Sequence, residues 1–210
     1  MWYANISYNL QLGQLVSVWT SYISNGDHGC LTSIHTPFVT SIFPERDRTC
    51  YFMIHRHSDP GSQFRTPLGY SDGQPIPTLM TLRTFVNGGH EIVDCKIMVC
   101  IKSIGPTKTY ATKQGTANDC THVRVFDDTG EAALSLWSVV GRSAAAWEIS
   151  KTVLMLTNPS WKMDKKGWLS LNQSTMVDVD PDIPDACWLK GYAQRILKRE
   201  HINPTFPEGG

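Results

Sequence analysis

The sequence predicts an all-β fold, and three observations between residues 85 and 178 carry that prediction. Short runs in which apolar and polar residues alternate recur along this stretch, as in strands with one buried face. Clusters of Gly, Asp, Asn and Thr separate the runs and favour turns. One alanine-rich stretch, 141–150, follows the third run and is typical of a short helix. The expected order is strand, loop, strand, hairpin, strand, helix, strand, loop, strand.

The first predicted strand covers residues 92–103, "IVDCKIMVCIKS". Alternation places one set of side chains on a face that we expect to be buried: Val93, Cys95, Ile97, Val99 and Ile101. It places the other set on a face that we expect to be solvated and partly basic: Asp94, Lys96, Met98, Cys100 and Lys102. The stretch that follows, 105–119, is predicted to be a flexible loop that carries Lys108, Tyr110 and Lys113.

Two strands joined by a tight hairpin come next. The run "CTHVRVF" buries either Thr121, Val123 and Val125 or the opposite set. The turn at 127–130 begins with Asp and ends with Gly, which favours a short hairpin connection. In the run "ALSLW" the leucines are expected to face inward. The side chains expected to face outward are Ala133, Ser135 and Trp137.

The last part of the stretch predicts a strand, a loop centred on 161–167 and a second strand, followed by a helix that opens at Pro184 or Asp185. The apolar residues expected to share one side of this helix are Trp188, Leu189, Tyr192, Ile196 and Leu197. Five strands with a helix between the third and fourth is the order of an OB-fold barrel. The predicted fold is therefore a five-stranded OB-fold barrel with a C-terminal helix.

The composition limits the kinds of partner. The chain has 210 residues, of which 41% are hydrophobic, an ordinary value for a globular protein. Its 19 Lys and Arg residues equal its 19 Asp and Glu residues, so any surface that attracts a polyanion must be local. Six scattered cysteines without metal-ligand spacing favour reduced thiols in an intracellular protein. No apolar run approaches the roughly 20 residues of a membrane span. No membrane and no cofactor are predicted.

An exposed tryptophan on the third strand predicts a nucleic-acid interface. The binding face of an OB-fold lies on strands 2 and 3, between the loop joining strands 1 and 2 and the loop joining strands 4 and 5. Trp137 would offer a stacking platform there, although it could instead cap the barrel against the helix near 144–147. The lysines near 161–167 could be only a solvated hairpin tip. The predicted DNA-binding residues are Trp137, Lys108, Tyr110, Lys113, Arg124, Ser135, Trp161, Lys162, Lys165 and Lys166. Trp168 and Trp188 are expected in the core.

Neither of two further clusters predicts a catalytic site. His55 and His57 share a strand face, but no third ligand accompanies them, and a surface strand explains them. The acidic stretch 178–182 could hold a cation, but Asp residues are also favoured before a helix. No nucleophile with a base and no glycine-rich phosphate loop is found in the sequence. No catalytic residues and no metal ligands are predicted.

Several segments resemble the family of meiosis-specific OB-domain-containing proteins, which is related to the large subunit of replication protein A. They are "NGGHEIVDCKIMVCIKSIG", "VRVFDDTGEAALSLW", "VLMLTNPSW" and, most specifically, "VDVDPDIPDACWL". The resemblance implies single-stranded DNA binding in meiotic homologous recombination and double-strand break repair, in the nucleus and on chromosomes. It also implies two partners, replication protein A and a dedicated meiotic protein. A 3′-to-5′ single-strand exonuclease activity is attributed to the family.

The resemblance extends to particular positions. Trp137 matches the stacking aromatic at the end of the third strand, whereas Thr121 stands where a second stacking aromatic is common, which leaves Trp161 or Tyr110 as substitutes. Residues 1–58 resemble the closing part of a preceding OB-fold, 59–84 a linker, 85–200 the complete domain and 201–210 a tail. A further domain would follow, so we expect the chain to be a fragment or an incomplete gene product.

A second function class stays open from the sequence. In it the barrel is an interaction scaffold whose final helix binds a meiotic partner and replication protein A without strong DNA binding. Net neutrality fits this alternative better than it fits a DNA-binding module. The predicted partner-binding residues are Trp188, Tyr192, Ile196 and Leu197.

Overall fold

A computed structural model describes residues 10–14, 16–19, 24–25, 38–39, 51–54, 66–67, 70–111, 117–163, 167–172 and 174–198. The N-terminal part contributes two short antiparallel pairs. Strand β1 (Val16–Trp19) pairs with β4 (Tyr51–Ile54), and β2 (Ser24–Asn25) pairs with β3 (Phe38–Val39). Most of the predicted partial OB-fold and the whole predicted tail lie outside the described residues, as do His55 and His57.

The main sheet is formed by the strands that follow. A short strand β5 (Leu79–Met80) leads into helix α1 (Leu82–Val86) and a 3₁₀ turn (Gly89–Glu91). A second 3₁₀ segment (Ser138–Ala146) lies where the alanine-rich run predicted a helix, and α2 (Pro184–Leu197) closes the domain. The remaining strands are β6 (Lys96–Ala111), β7 (Ala117–Phe126), β8 (Glu131–Trp137), β9 (Val153–Thr157), β10 (Ser160–Lys162), β11 (Trp168–Ser170) and β12 (Met176–Val179).

The strand order makes the sheet curl on itself. It runs β10-β11-β8-β7-β6-β9-β12, with β5 beside β6. Strands β9 and β10 are successive parts of one arm of a hairpin, and β11 and β12 are successive parts of the other arm. The half of this hairpin formed by β10 and β11 lies at one end of the sheet, and the half formed by β9 and β12 lies at the other end, which wraps the sheet into a barrel. The predicted OB-fold with a C-terminal helix is confirmed.

The barrel interior is filled by the inward residues of every strand. Val123 and Val125 are fully buried, so the first of the two sets considered for β7 is the inward one. Leu134 and Leu136 are also fully buried, as expected for β8. Helix α1 adds Phe85, which is 0% exposed in the same cluster. Burial of a side chain of that size contributes about 1.5–3 kcal/mol.

A second core lies between α2 and the outside of the barrel. Met98 and Cys100 of β6 are buried there against Leu189 and Ala193 of α2. The prediction of a solvated face on the first strand is therefore wrong for these two residues, because the helix covers them. Desolvation raises the pKa of the Cys100 thiol to about 11.

The predicted loop at 105–119 is largely strand. Strand β6 continues to Ala111, and β7 begins at Ala117. Register shifts occur between the pairs at Ile101 and Ser103 and again between those at Ile104 and Thr107. These irregularities let a long strand bend around the barrel, so Gly and Pro mark a bend here and not a loop.

Helix α2 begins at Pro184, as predicted, but its apolar residues do not share one side. Leu189 faces the barrel and is 3% exposed. Trp188 is 52% exposed, so its predicted place in the core is wrong. Ile196 and Leu197 are also exposed. The helix buries Ala186, Leu189 and Ala193 against the barrel, and this leaves the other large apolar side chains on the outside.

Candidate nucleic-acid interface

Trp137 lies at the end of β8 on the outer face of the sheet and keeps 41% of its surface exposed. Tyr110 lies beside it, with ring centroids 5.6 Å apart and the planes tilted by 58°. Ser138 follows with a φ of 55° and turns the chain into the 3₁₀ segment, and its Oγ donates to Asn118 Oδ1 at 2.5 Å. The buried tryptophan near 144–147 is Trp147, so Trp137 does not cap the barrel.

His122 extends this aromatic surface and was not singled out in the sequence. Its Nδ1 is 3.1 Å from Ser135 Oγ, and its Nε2 is 3.3 Å from the hydroxyl of Tyr110. The rings of Tyr110 and His122 meet edge to face, with centroids 6.4 Å apart. Alternation would have identified His122, because it lies between two inward residues of β7. We call Trp137, Tyr110 and His122 the aromatic platform.

Cys120 lies on the same face as the platform and is fully buried. Its Sγ is 3.9 Å from His122 Nε2. Burial raises the pKa of this thiol, which keeps it protonated at neutral pH. Thr121, where the resemblance places a second aromatic, faces the interior instead. It is 4% exposed and exchanges a hydrogen bond with Thr107 at 2.9 Å.

Basic side chains lie on the platform face in two rows of residues paired across neighbouring strands. In the first row, Lys108 pairs with Cys120, which pairs with Trp137, so the lysine lies on the platform face two strands away from the tryptophan. In the second row, the pairings link Arg124 to Ala133, Ala133 to Trp168, and Trp168 to Lys162.

The second row places a half-buried tryptophan on the outer face of the sheet. Trp168 precedes Leu169, which is fully buried on the inner face. The two ends of the row are the exposed cations Arg124 and Lys162. The expectation that Trp168 belongs to the core is therefore wrong. Ala133 lies four residues before Trp137 on β8, which separates the rows by about 13 Å.

Of the remaining predicted residues, the structure describes Trp161 and Ser135, and neither adds an exposed side chain to this face. Trp161 pairs with Leu169, packs against the barrel core and covers Gly167, so its indole is directed away from Lys162. Ser135 is on the platform face but is only 4% exposed, because it is engaged by His122. Lys113, Lys165 and Lys166 lie outside the described residues.

The acidic stretch before α2 has structural contacts. Asp180 Oδ1 accepts a hydrogen bond from the Val153 amide at 3.0 Å and pairs with Lys190 at 2.8 Å. Burial raises the pKa of Asp178 above its ordinary value of 3.8. Across the described ranges, no three His, Cys, Asp or Glu side chains converge as metal ligands would. None of the helices in those ranges is long and apolar enough to cross a membrane.

Comparison with known proteins supports the fold. No protein-family model matches the chain, and no curated protein sequence matches it significantly. Among solved structures, a chain of a replication protein A heterotrimer bound to ssDNA superimposes with a TM-score of 0.54 at 14% identity, over 86% of this chain and 39% of that one. This chain thus spans less than half of that relative.

Two smaller solved structures also match. An OB domain from Thermoplasma acidophilum gives a TM-score of 0.39 at 19% identity, over 50% of this chain and 91% of its own. The second OB-fold domain of replication protein A from Methanococcus maripaludis gives 0.31 at 21% identity, over 38% and 79%. At identities this low, the structural likeness establishes the fold alone. The chain contains an OB-fold domain.

Proposed function

We propose that this OB-fold domain binds single-stranded DNA across the aromatic platform, as a module of a factor for meiotic homologous recombination. The observation that carries the proposal is the exposed pair of Trp137 and Tyr110 at 5.6 Å, with Lys108 on the same face. Aromatic rings stack on any base, and lysines beside them hold the phosphates.

The meiotic setting rests on the sequence resemblance, above all on "VDVDPDIPDACWL" before α2. The solved structure with the TM-score of 0.54 belongs to a heterotrimer bound to ssDNA, which agrees with the proposed ligand class. In this proposal the protein acts in the nucleus, on chromosomes, together with replication protein A and a dedicated meiotic partner.

Fluorescence anisotropy with a labelled oligothymidine, at low and moderate salt, tests the proposal. Stacking contributes about 1–3 kcal/mol per base, so Trp137→Ala should weaken binding about 5- to 150-fold. Lys108→Ala should reduce the slope of log K against log salt by about 0.7 if the lysine holds one phosphate. Trp188→Ala is the matched control, because it removes a similarly exposed indole from another face.

Two results would contradict the proposal. One is the absence of binding at low salt by a chain whose circular dichroism shows that it is folded. The other is equal affinity of Trp137→Ala and Trp188→Ala for the oligonucleotide. Either result would favour the second function class, in which α2 is the functional surface.

A specific observation supports that second class as an additional role. Trp188, Ile196 and Leu197 expose 52%, 43% and 67% of their surfaces on α2. Large apolar residues exposed together on one element are typical of protein interaction sites. We propose that α2 contacts a partner protein through them and through Tyr192, independently of DNA binding.

A further inference from the structure

An open groove of about 260 Å³ lies between the first two turns of α2 and strand β5. Its floor is apolar and is formed by Leu79, Met98 and Leu189, while Trp188 lines one side. Its volume lies below the roughly 300–1,000 Å³ of small-molecule sites. The groove therefore suits one or two side chains of a docked polypeptide better than a whole small ligand.

The wall of the groove is preorganised. Trp188 stacks on Tyr192 with ring centroids 5.5 Å apart and planes within 10° of parallel. Tyr192 is itself half-buried against the core beneath α2, which holds the indole in place. An anchor that is already ordered loses little conformational entropy when a partner binds, so more of the contact energy remains as affinity.

The groove is also acidic. Asp127, Asp128 and Asp185 line it, whereas none of its described lining residues is basic. The carboxylate of Asp127 is occupied by backbone amides, but Asp128 and Asp185 are exposed at the rim. The nearest cation on α1, Arg83, donates to the carbonyl of Thr129 at 3.0 Å.

The negative charge near the groove contributes to raised pKa values of two tyrosines, Tyr192 and Tyr70. Burial raises the pKa of Tyr192, and the charges of Asp128 and Asp127 raise it further. Desolvation likewise raises the pKa of Tyr70, and a hydrogen bond from Tyr70 to Asp72 and the charges of Asp72 and Asp185 add to the rise. Such a surface repels phosphates, so it does not extend the proposed DNA site.

We propose that this groove docks a basic amphipathic helix of a partner protein. One apolar side chain of that helix enters the groove against Trp188, and its Lys or Arg residues meet Asp128 and Asp185. This binding mode is helix-in-groove recognition, with complementary charge setting the orientation. The inference goes beyond single-strand binding and specifies the chemistry of the partner that α2 holds.

The test uses the full chain and two labelled peptides. The first is an amphipathic helix of about four turns with leucines on one face and lysines on the other. The second is its twin, in which every Lys is replaced by Glu. Fluorescence anisotropy should show that the basic peptide binds at least about tenfold more tightly than its acidic twin at low salt, a difference of about 1.4 kcal/mol.

Variants of the chain assign the binding to the groove. Trp188→Ala should weaken the basic peptide about tenfold or more, as expected of a central aromatic anchor. The double variant Asp128→Asn with Asp185→Asn should bring the affinities of the two peptides together. Trp137→Ala is the matched control: it should leave peptide binding unchanged while it weakens oligothymidine binding.

The outcomes separate the alternatives. Equal affinity for both peptides, no binding of the basic peptide, or undiminished binding by folded Trp188→Ala would overturn the proposal. Self-association of the chain that displaces the peptide, as measured by sedimentation, would also overturn the proposal, because a second copy of the chain would then occupy the groove. Oligothymidine binding measured on the same samples reports the proposed function separately.

Discussion

Asp127 connects two parts of the domain that are 45 residues apart in sequence. Its Oδ1 accepts hydrogen bonds from the Thr129 amide, the Thr129 hydroxyl and the Gly130 amide, at 2.7, 2.7 and 2.9 Å. Its Oδ2 accepts from the amide of Leu82 at 2.6 Å, at the start of α1. The turn between β7 and β8 therefore holds the helix that fills one end of the barrel. We predict that Asp127→Ala destabilises the whole domain.

The magnitude follows from which donors lose their acceptor. The Leu82 amide is buried, and an unsatisfied buried donor costs about 1–3 kcal/mol. The Thr129 and Gly130 amides are only partly buried and regain water, so together they cost about 1 kcal/mol more. The expected loss is about 3 kcal/mol. With a urea m-value of about 2 kcal/mol/M, the unfolding midpoint should fall by about 1.5 M.

Urea denaturation followed by far-ultraviolet circular dichroism measures this loss. Asp128→Ala is the matched control, since Asp128 is exposed at the same turn and its removal should change stability by about 0.5 kcal/mol or less. Asp127→Asn should give an intermediate midpoint, because one acceptor oxygen remains for the turn. Equal midpoints for Asp127→Ala and Asp128→Ala would refute the claim that this carboxylate holds α1.

Two further changes test local packing and charge. An added Cβ at Gly167 would overlap the indole of Trp161, so Gly167→Ala should reduce stability by about 1–3 kcal/mol and lower the melting temperature. Gly130→Ala is the control, because an added Cβ there meets nothing within 4 Å and should leave the melting temperature unchanged. Oδ2 of Asp178 is buried without a hydrogen-bond partner among the described residues, and burial raises its pKa above 3.8. Its protonated form therefore favours folding, and this stability is lost as pH rises through the raised pKa. Asp178→Asn should stabilise the domain by about 1 kcal/mol near pH 7, with no gain at a pH well below 3.8; an equal gain at both pH values would contradict this explanation.

The sequence predicted the barrel because local alternation and global packing agree there. Leu134 and Leu136 alternate with outward residues and are buried as that pattern requires. The prediction failed where another element covers a face, as α2 covers Met98. It also failed where a Gly-Pro pair bends a strand without ending it, at β6. Both failures reflect tertiary contacts, which a local pattern does not contain.

The candidate site shows the same division. Trp137 was predictable, since it ends an alternating strand on the outward side. His122 was predictable once β7 had been assigned an inward set, but the sequence left both sets open. The separation of Trp161 from Lys162 depends on the pairing of Trp161 with Leu169 in β11, which a local pattern does not contain. The DNA-binding role of Trp161 stays a prediction.

Net neutrality, which on sequence alone favoured a scaffold, is compatible with DNA binding once the charges are placed. The aromatic platform and Lys108 lie near the Trp137 end of strand β8, and the turn that contains Asp128 precedes the other end of this strand. Seven residues of strand separate these ends by about 20 Å, well beyond a Debye length of about 8 Å at physiological salt. A phosphate at the platform is therefore screened from the acidic rim near Asp185. One small domain can thus present a surface for a polyanion and a surface for a basic polypeptide, and the two charges cancel only in the sum.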